Sequence, residues 1–274
     1  MTLQIDGTLW LAGAGNMGLA LLAGWLAQGL PPGRIVVQEP SPSPDAKALA
    51  ARQGIALQPT LAAGTPPPSV LVVAVKPQVM DEVFAGLAGR VSPRTLVLSI
   101  AAGRTIAGFE RQLPAKTPVV RAMPNMAVSV GRGITVCVPN AHVSSAERAA
   151  CDGLLRAVGE VAWVDDEGLL DAVTAVSGSG PAYVFYLAEC LAEAGVKAGL
   201  PPKLAQQLAS ATVAGAGELL HRSHDDAAML RQRVTSTGGT THAALQVLMA
   251  DNGLAPLLRE AVAAATRRSR ELAK

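Results

Sequence analysis

Residues 8–22, Thr8-Leu9-Trp10-Leu11-Ala12-Gly13-Ala14-Gly15-Asn16-Met17-Gly18-Leu19-Ala20-Leu21-Leu22, decide the fold. The apolar run Thr8–Ala12 reads as a strand, Gly13–Gly18 as a turn, and Leu19–Gln28 as a helix that ends at Gly29. G-x-G-x-x-G between a strand and a helix is the context in which a glycine loop cradles phosphates. Gly13 allows the tight turn, Gly15 lets a pyrophosphate approach the backbone, and Gly18 lets the helix lie against the strand. The phosphates would then meet the exposed N–H groups at the positive end of the helix.

The same rhythm continues outward. Arg34–Gln38 is a second strand, and Pro44–Gln53 is a helix stopped by Gly54. Ser69–Val75 and Thr95–Ile100 are unbroken apolar runs, as strands covered on both faces should be. Pro118–Ala122, Gly133–Val138 and Val161–Val164 read as further strands, with a helix over Ser144–Val158. Alternation of this kind predicts a parallel sheet flanked by helices. After about Asp165 the strands stop, and helices are predicted over Leu169–Ala175, Ala182–Ala198, Lys203 to about His221, Thr240–Met249 and Leu254–Leu272. The expected class is α/β: a Rossmann-like doubly wound sheet over residues 1–165, followed by an all-helical domain over residues 166–274.

The chain has 274 residues, half of them hydrophobic and only 16% charged, enough for a sizeable core. With a formal net charge of +2 and 3% aromatics, no basic stripe with interleaved rings is present, which argues against a nucleic-acid partner. Cys137, Cys151 and Cys190 are odd in number and widely spaced, so they read as reduced thiols, and no metal site is expected. No stretch approaches the ~18 apolar residues of a membrane span, and no secretory leader precedes Gly13. A cytoplasmic protein without a membrane partner is expected.

Candidate binding residues cluster at strand ends and helix starts. Glu39 lies about 20 residues beyond the glycine loop, where an acidic group would bind a ribose 2′-hydroxyl and favour NADH. Ser41 follows at once with a hydroxyl able to hold a phosphate, so NADH and NADPH both stay open. Lys76 and Pro77 end one apolar strand, and Ala101 and Ala102 lie just past the next, at the carboxyl edge where ligands sit. In the second half, Ser177-Gly178-Ser179-Gly180-Pro181 and Val234–Thr241 are runs of small residues before helices. Such places bind carboxylates or simply cap the helix. No acid–base or nucleophile constellation stands out. His221–Asp226 reads as a solvated loop and Asp165-Asp166-Glu167 as a turn between the halves. Imine reduction suits this inventory, because a protonated C=N is already electrophilic and requires mainly positioning.

The chain resembles the pyrroline-5-carboxylate reductase family in five segments running in order: Gly13–Gly18 (GAGNMG), Ala74–Gln78 (AVKPQ), Arg121–Asn125 (RAMPN), Ser177–Tyr183 (SGSGPAY) and Val234–Leu245 (VTSTGGTTHAAL). The resemblance implies reduction of a cyclic imine carboxylate by hydride from NADPH or NADH. It also implies a helical half that interlocks with a second subunit, in dimers or rings of dimers. Carried over residue by residue, Gly13, Ala14, Gly15, Asn16, Met17 and Gly18 would contact the pyrophosphate. Lys76, Pro77, Ala101 and Ala102 would line the nicotinamide side, Asn125 would lie near the cofactor, and Ser177 and Ser179 near the nicotinamide and substrate. Ser236 and the backbone of Gly238, Gly239 and Thr240 would hold the carboxylate, and Thr241 would act at the ring nitrogen as the catalytic group. The sequence departs from the family pattern at Thr237, where proline is common, and at Met126-Ala127-Val128, where Thr-Pro-Ala is common. These departures leave room for a related cyclic imine as substrate.

Two rivals share the glycine loop. A β-hydroxyacid dehydrogenase-like enzyme would carry a lysine early on a helix of the second half, whereas Lys197 comes late. A dinucleotide-binding sensor would bind nucleotide without turnover.

Overall fold

The computed structural model describes Leu3, residues 5–101 and residues 103–272, with only the backbone of Pro77. Eight strands form one sheet in the order β3-β2-β1-β4-β5-β6-β7-β8. They are β1 (Leu9–Ala12), β2 (Ile35–Gln38), β3 (Leu57–Gln58), β4 (Val70–Val73), β5 (Leu96–Ser99), β6 (Val119–Met123), β7 (Gly133–Pro139) and β8 (Gly159–Trp163). The first six are parallel, while β7 runs antiparallel to β6 and β8 parallel to β7. The sheet is parallel as expected except for this one reversal. A single 3-10 turn, Met126–Val130, joins β6 to β7. That is too short for the crossover a parallel return requires, so the chain comes back as a neighbour in the opposite sense.

Alternation along each strand divides the core. Leu9 and Leu11 of β1, Val70 and Val72 of β4, and Leu96 and Leu98 of β5 share one cluster with Trp25, Cys151 and Leu154. Trp10, Leu71, Val73 and Val97 point the other way, into a cluster with Phe84 and Phe109. Helices α1 (Asn16–Ala27), α2 (Pro44–Gln53) and α5 (Ser145–Arg156) contribute to the first face, and α3 (Met80–Ala88) and α4 (Ile106–Glu110) to the second. Both faces of these strands are thus dry, which is why they read as unbroken apolar runs. Helix α5 opens with a reciprocal capping box between Ser144 and Glu147. The Trp25 indole N–H donates to the Leu154 carbonyl at 2.8 Å and ties α1 to α5.

The chain divides into two compact units, one running to Gly178 and including residues from Thr266 onward, the other Ser179–Ala265. In the first, helix α6 (Leu169–Val173) runs directly into a π-helical turn, Thr174–Gly178. Residues from the C-terminal end of α11 (Leu254–Leu272) return to this unit, where Ser269 Oγ donates to Asp171 Oδ1 at 2.7 Å. The second unit holds α7 (Gly180–Lys197), α8 (Pro202–Arg222), α9 (Ala227–Arg233), α10 (Thr240–Leu248) and the start of α11. Helices α7 and α8 pack closely: a Cβ on Gly195 would lie 3.3 Å from that of Ala205. Among the described residues, no helix is long and apolar enough to cross a membrane.

Candidate active site

The carboxyl ends of β1, β2 and β4 meet at a cavity of about 290 Å³. Gly13, Ala14, Gly15 and Asn16 form its floor, Gln38, Glu39, Ser41 and Ser43 its β2 side, and Ala74, Val75, Lys76 and Val79 its β4 side. The backbone dictates the glycines. Gly13 sits at φ +95°, and a Cβ there would lie 2.7 Å from the Ala74 carbonyl oxygen. A Cβ on Gly18 would lie 2.1 Å from the Gly13 carbonyl oxygen, so α1 can start this close to β1 only without one. At Gly15 the position a Cβ would take has nothing within 4 Å. That open cradle, above a helix start with no side-chain cap and no acidic residue in its first turn, fits a phosphate of a bound dinucleotide.

Glu39 turns back onto the loop. Its Oε2 accepts from Ala14 N–H at 2.8 Å and its Oε1 from Ser41 N–H at 2.9 Å. The main chain sets this up, because Gly13 N–H donates to the Gln38 carbonyl at 2.9 Å and holds the loop beside the end of β2. Ser43 Oγ accepts from Ala46 N–H as the N-cap of α2. Gln38 lines the cavity, and its Oε1 is buried without a hydrogen-bond partner. Sequence reasoning passed over Gln38 because it stands at the last position of a strand otherwise read for its apolar residues.

The other candidates fall elsewhere. Gly18 is buried and Met17 packs against the core beneath the loop. Lys76 is exposed on the cavity wall. Pro77 starts a 3-10 turn, its side chain lying outside the described residues, as does all of Ala102. Ala101 lines a separate cavity of about 70 Å³ with Arg121, Met123 and Thr174. Asn125 Oδ1 accepts from Ile134 N–H at 3.3 Å and spans the β6–β7 turn. Glu167 does more than turn the chain: its Oε1 accepts from Arg121 Nη1 at 2.7 Å and from Ile106 N–H at 2.9 Å.

The segment expected to precede a helix as a small-residue loop is itself helical. Ser177 lies in the π-helical turn, its hydroxyl donating to the Val173 carbonyl at 3.0 Å. Gly178 fits because a Cβ there would lie 2.8 Å from Met123 Cε. Ser179 flanks α7 with helical dihedrals and no side-chain cap. The small residues let a widened helical turn pack tightly, a use the sequence pattern did not separate from capping.

Within the helical unit, Ser236, Gly238 and Gly239 form a tight turn, with Gly239 N–H donating to the Ser236 carbonyl at 3.0 Å and Gly238 at φ +73°. A Cβ on Gly239 would lie 2.5 Å from Ser236 Oγ, so the hydroxyl stands directly over the turn. Thr240 and Thr241 begin α10, whose start has no side-chain cap. A groove of about 300 Å³ between α9 and α10 is lined by Arg231, Thr235, His242 and Gln246 rather than by these residues. His242 Nε2 lies 3.1 Å from Gln246 Nε2.

Comparison with known proteins agrees with this geometry. A family profile described as pyrroline-5-carboxylate reductase dimerisation matches residues 167–272, and one described as NADP oxidoreductase coenzyme F420-dependent matches residues 9–103. The pyrroline-5-carboxylate reductase of Pseudomonas aeruginosa is 42% identical over 262 residues, covering 96% of this chain and 95% of that protein. That of Synechocystis is 46% identical over 205 residues, 75% of each. Among solved structures, a pyrroline-5-carboxylate reductase from Coxiella burnetii superposes with a TM-score of 0.90 at 34% identity, over 98% of this chain and 100% of that one. The Plasmodium falciparum pyrroline carboxylate reductase, solved with NADP bound, gives 0.77 at 27% identity over 98% and 99%. With a glycine cradle at one end and a dimerisation segment at the other, both matched along nearly full-length relatives, the chain belongs to the pyrroline-5-carboxylate reductase family.

Proposed function

We propose that this protein reduces 1-pyrroline-5-carboxylate to proline with NADH or NADPH, in the cytoplasm, as a dimer or a ring of dimers. The observation that carries the reading is the open cradle at Gly15, set between β1 and the uncapped start of α1. When bound, the reduced nicotinamide supplies the hydride. The residues of the chain bind and orient. The N–H groups of Gly15, Asn16 and Met17 hold the pyrophosphate, with Gly13, Ala14 and Gly18 shaping the loop. Glu39 and Ser41 face the adenine ribose, and Lys76, Pro77, Ala101, Ala102 and Asn125 line the nicotinamide side. Residues 1–165 thus serve the dinucleotide, and residues 166–274 serve dimerisation and substrate.

Ser236 and the backbone of Gly238, Gly239 and Thr240 hold the substrate carboxylate, where N–H groups at a helix start favour an anion. Ser177 and Ser179 contribute to substrate binding as well. The Thr241 hydroxyl hydrogen-bonds the ring nitrogen and fixes the C=N plane. The carbon of the C=N bond takes the hydride, its π electrons pass to nitrogen, and the proton already on nitrogen stays, leaving the secondary amine. No general base is required.

Pyrroline-5-carboxylate offered with NADH and then NADPH should consume the reduced-nicotinamide absorbance, and no consumption with either would overturn the reading. Thr241→Ala should lower kcat by about 10- to 100-fold, the range of a lost positioning hydrogen bond, and leave the cofactor dissociation constant unchanged. Equal loss of both would remove Thr241 from the chemistry.

A further inference from the structure

Three features of the β2 side of the dinucleotide cavity agree on which nucleotide it takes. First, the Glu39 carboxylate is fastened at both oxygens, to Ala14 N–H at 2.8 Å and to Ser41 N–H at 2.9 Å. Hydrogen bonds to an ionised acceptor are about twice as strong as neutral ones. Swinging the carboxylate aside would forfeit two of them and strip Ala14 N–H of its partner. Second, Gln38 lines the same cavity, and its Oε1 is buried behind the surface with no donor. A buried polar atom without a partner carries a desolvation penalty, relieved when the side chain turns its oxygen to a ligand donor. Third, Lys76 is the one cation among the described residues that line this cavity, and it follows β4, on the far side of β1 from β2. That is two strand spacings, about 10 Å, from the β2 end.

We infer that the site selects NADH over NADPH, with Glu39 as the discriminating residue and Gln38 as a second acceptor for ribose hydroxyls. This inference rests on the dinucleotide reading of the cavity given above. A ribose with free hydroxyls brings donors to two acceptors. A 2′-phosphate brings only negative charge and acceptor oxygens, next to a carboxylate that cannot move away cheaply. Juxtaposed like charges at a desolvated site are strongly unfavourable. Ser41 and Ser43 offer neutral hydroxyls, and Ser43 Oγ already caps α2. Neutral donors do not offset a fixed charge.

The test is equilibrium binding to the full chain without substrate, read from the fluorescence of the reduced nicotinamide. The wild type should bind NADH at least about tenfold more tightly than NADPH. Glu39→Gln keeps an acceptor for Ala14 N–H and removes the charge. It should shrink the ratio by about tenfold, mostly by tightening NADPH. Gln38→Leu should weaken NADH several-fold and change NADPH less. Equal affinities in the wild type, or a ratio unmoved by Glu39→Gln, would overturn the selection while leaving the dinucleotide site intact. Binding of neither nucleotide would overturn the dinucleotide reading itself, and the selection with it. If a variant fails to fold, the wild-type ratio alone still decides.

Discussion

Trp25 and Phe185 are both large aromatic residues on helices, yet Trp25 is fully buried and Phe185 is 55% exposed. The contrast holds across the two units. In the sheet unit, β1, β4 and β5 are buried at every position, and α1, α3 and α5 each bury an apolar stripe. In the helical unit, α7, α9 and α10 bury no residue, and α8 buries only Ala205 and Ala209. Phe185, Tyr186, Leu187 and Leu191 of α7 and Leu219 and Leu220 of α8 are left facing outward. Apolar surface of this extent marks an interface. The sheet unit completes its own core, whereas the helical unit requires a second copy, in keeping with the dimerisation profile over residues 167–272. One chain thus carries a fold that stands alone and a fold that is half of a shared one.

The largest effect expected is inside the self-sufficient unit. Trp25→Ala removes the biggest side chain joining α1 to α5 and leaves the Leu154 carbonyl without its 2.8 Å donor. A loss of about 3–5 kcal/mol is expected, measured by denaturant unfolding followed through sheet circular dichroism. A loss under about 1 kcal/mol would mean this face collapses around the gap, and the contrast in packing would weaken.

A smaller effect, and a different one, is expected from Phe185→Asp. A buried charge at the centre of an interface costs about 2–4 kcal/mol of association, which sedimentation would register as dissociated protein at concentrations where the wild type is assembled. The melting of the sheet unit should stay within experimental error. If the variant assembles as tightly as the wild type, the exposed face of α7 has some other purpose.

These two residues also show how far the sequence can be read. Trp25 sits beside the glycine loop in a pattern whose strand, turn and helix each have a local signature, and the β1–loop–α1 unit was legible from Thr8 to Gly29. Leu57–Gln58 is too short a strand to register, α3 starts without a side-chain cap, and α4 and α9, though capped by Thr105 and Asp226, are too short to show helical periodicity. The reversal at β7 was hidden because strand sense leaves no mark on composition. It depends on the length of the Met126–Val130 turn. Glu39 was visible as a residue type, but its grip on Ala14 and Ser41 depends on the Gly13–Gln38 backbone bond, a contact between segments far apart in sequence. Ser177–Gly180 is visible as small residues, a pattern that a π-helical turn and a cap share. Apolar periodicity on α7 and α8 marked helices without saying whether the same chain or another would cover them.

The cysteines sharpen the contrast with the smallest effect. Cys137 and Cys151 lie in the sheet unit and are buried, while Cys190 lies on α7 and is exposed in the single chain. Burial pushes the Cys137 thiol up to about 12 from an ordinary 9.0, with Asp152 adding to it. Burial raises Cys151 as well, and Cys137 adds to that. A thiol whose pKa is raised by folding contributes stability that is full below the unfolded value of 9.0 and is lost as pH climbs toward 12. The native state should therefore lose on the order of 1 kcal/mol per pH unit in that window through Cys137, and further stability in the same direction through Cys151. Unfolding by urea at pH 8 and pH 10 should show it, and Cys137→Ala should flatten the dependence. Below pH 9 a thiol reagent should reach neither of these cysteines in the folded chain. It should reach Cys190 rapidly in the dissociated Phe185→Asp variant and slowly in the assembled wild type. Equal rates at Cys190 in both would mean that a partner does not cover this part of α7, and the shared half of the fold would have to be sought on α8 and α10.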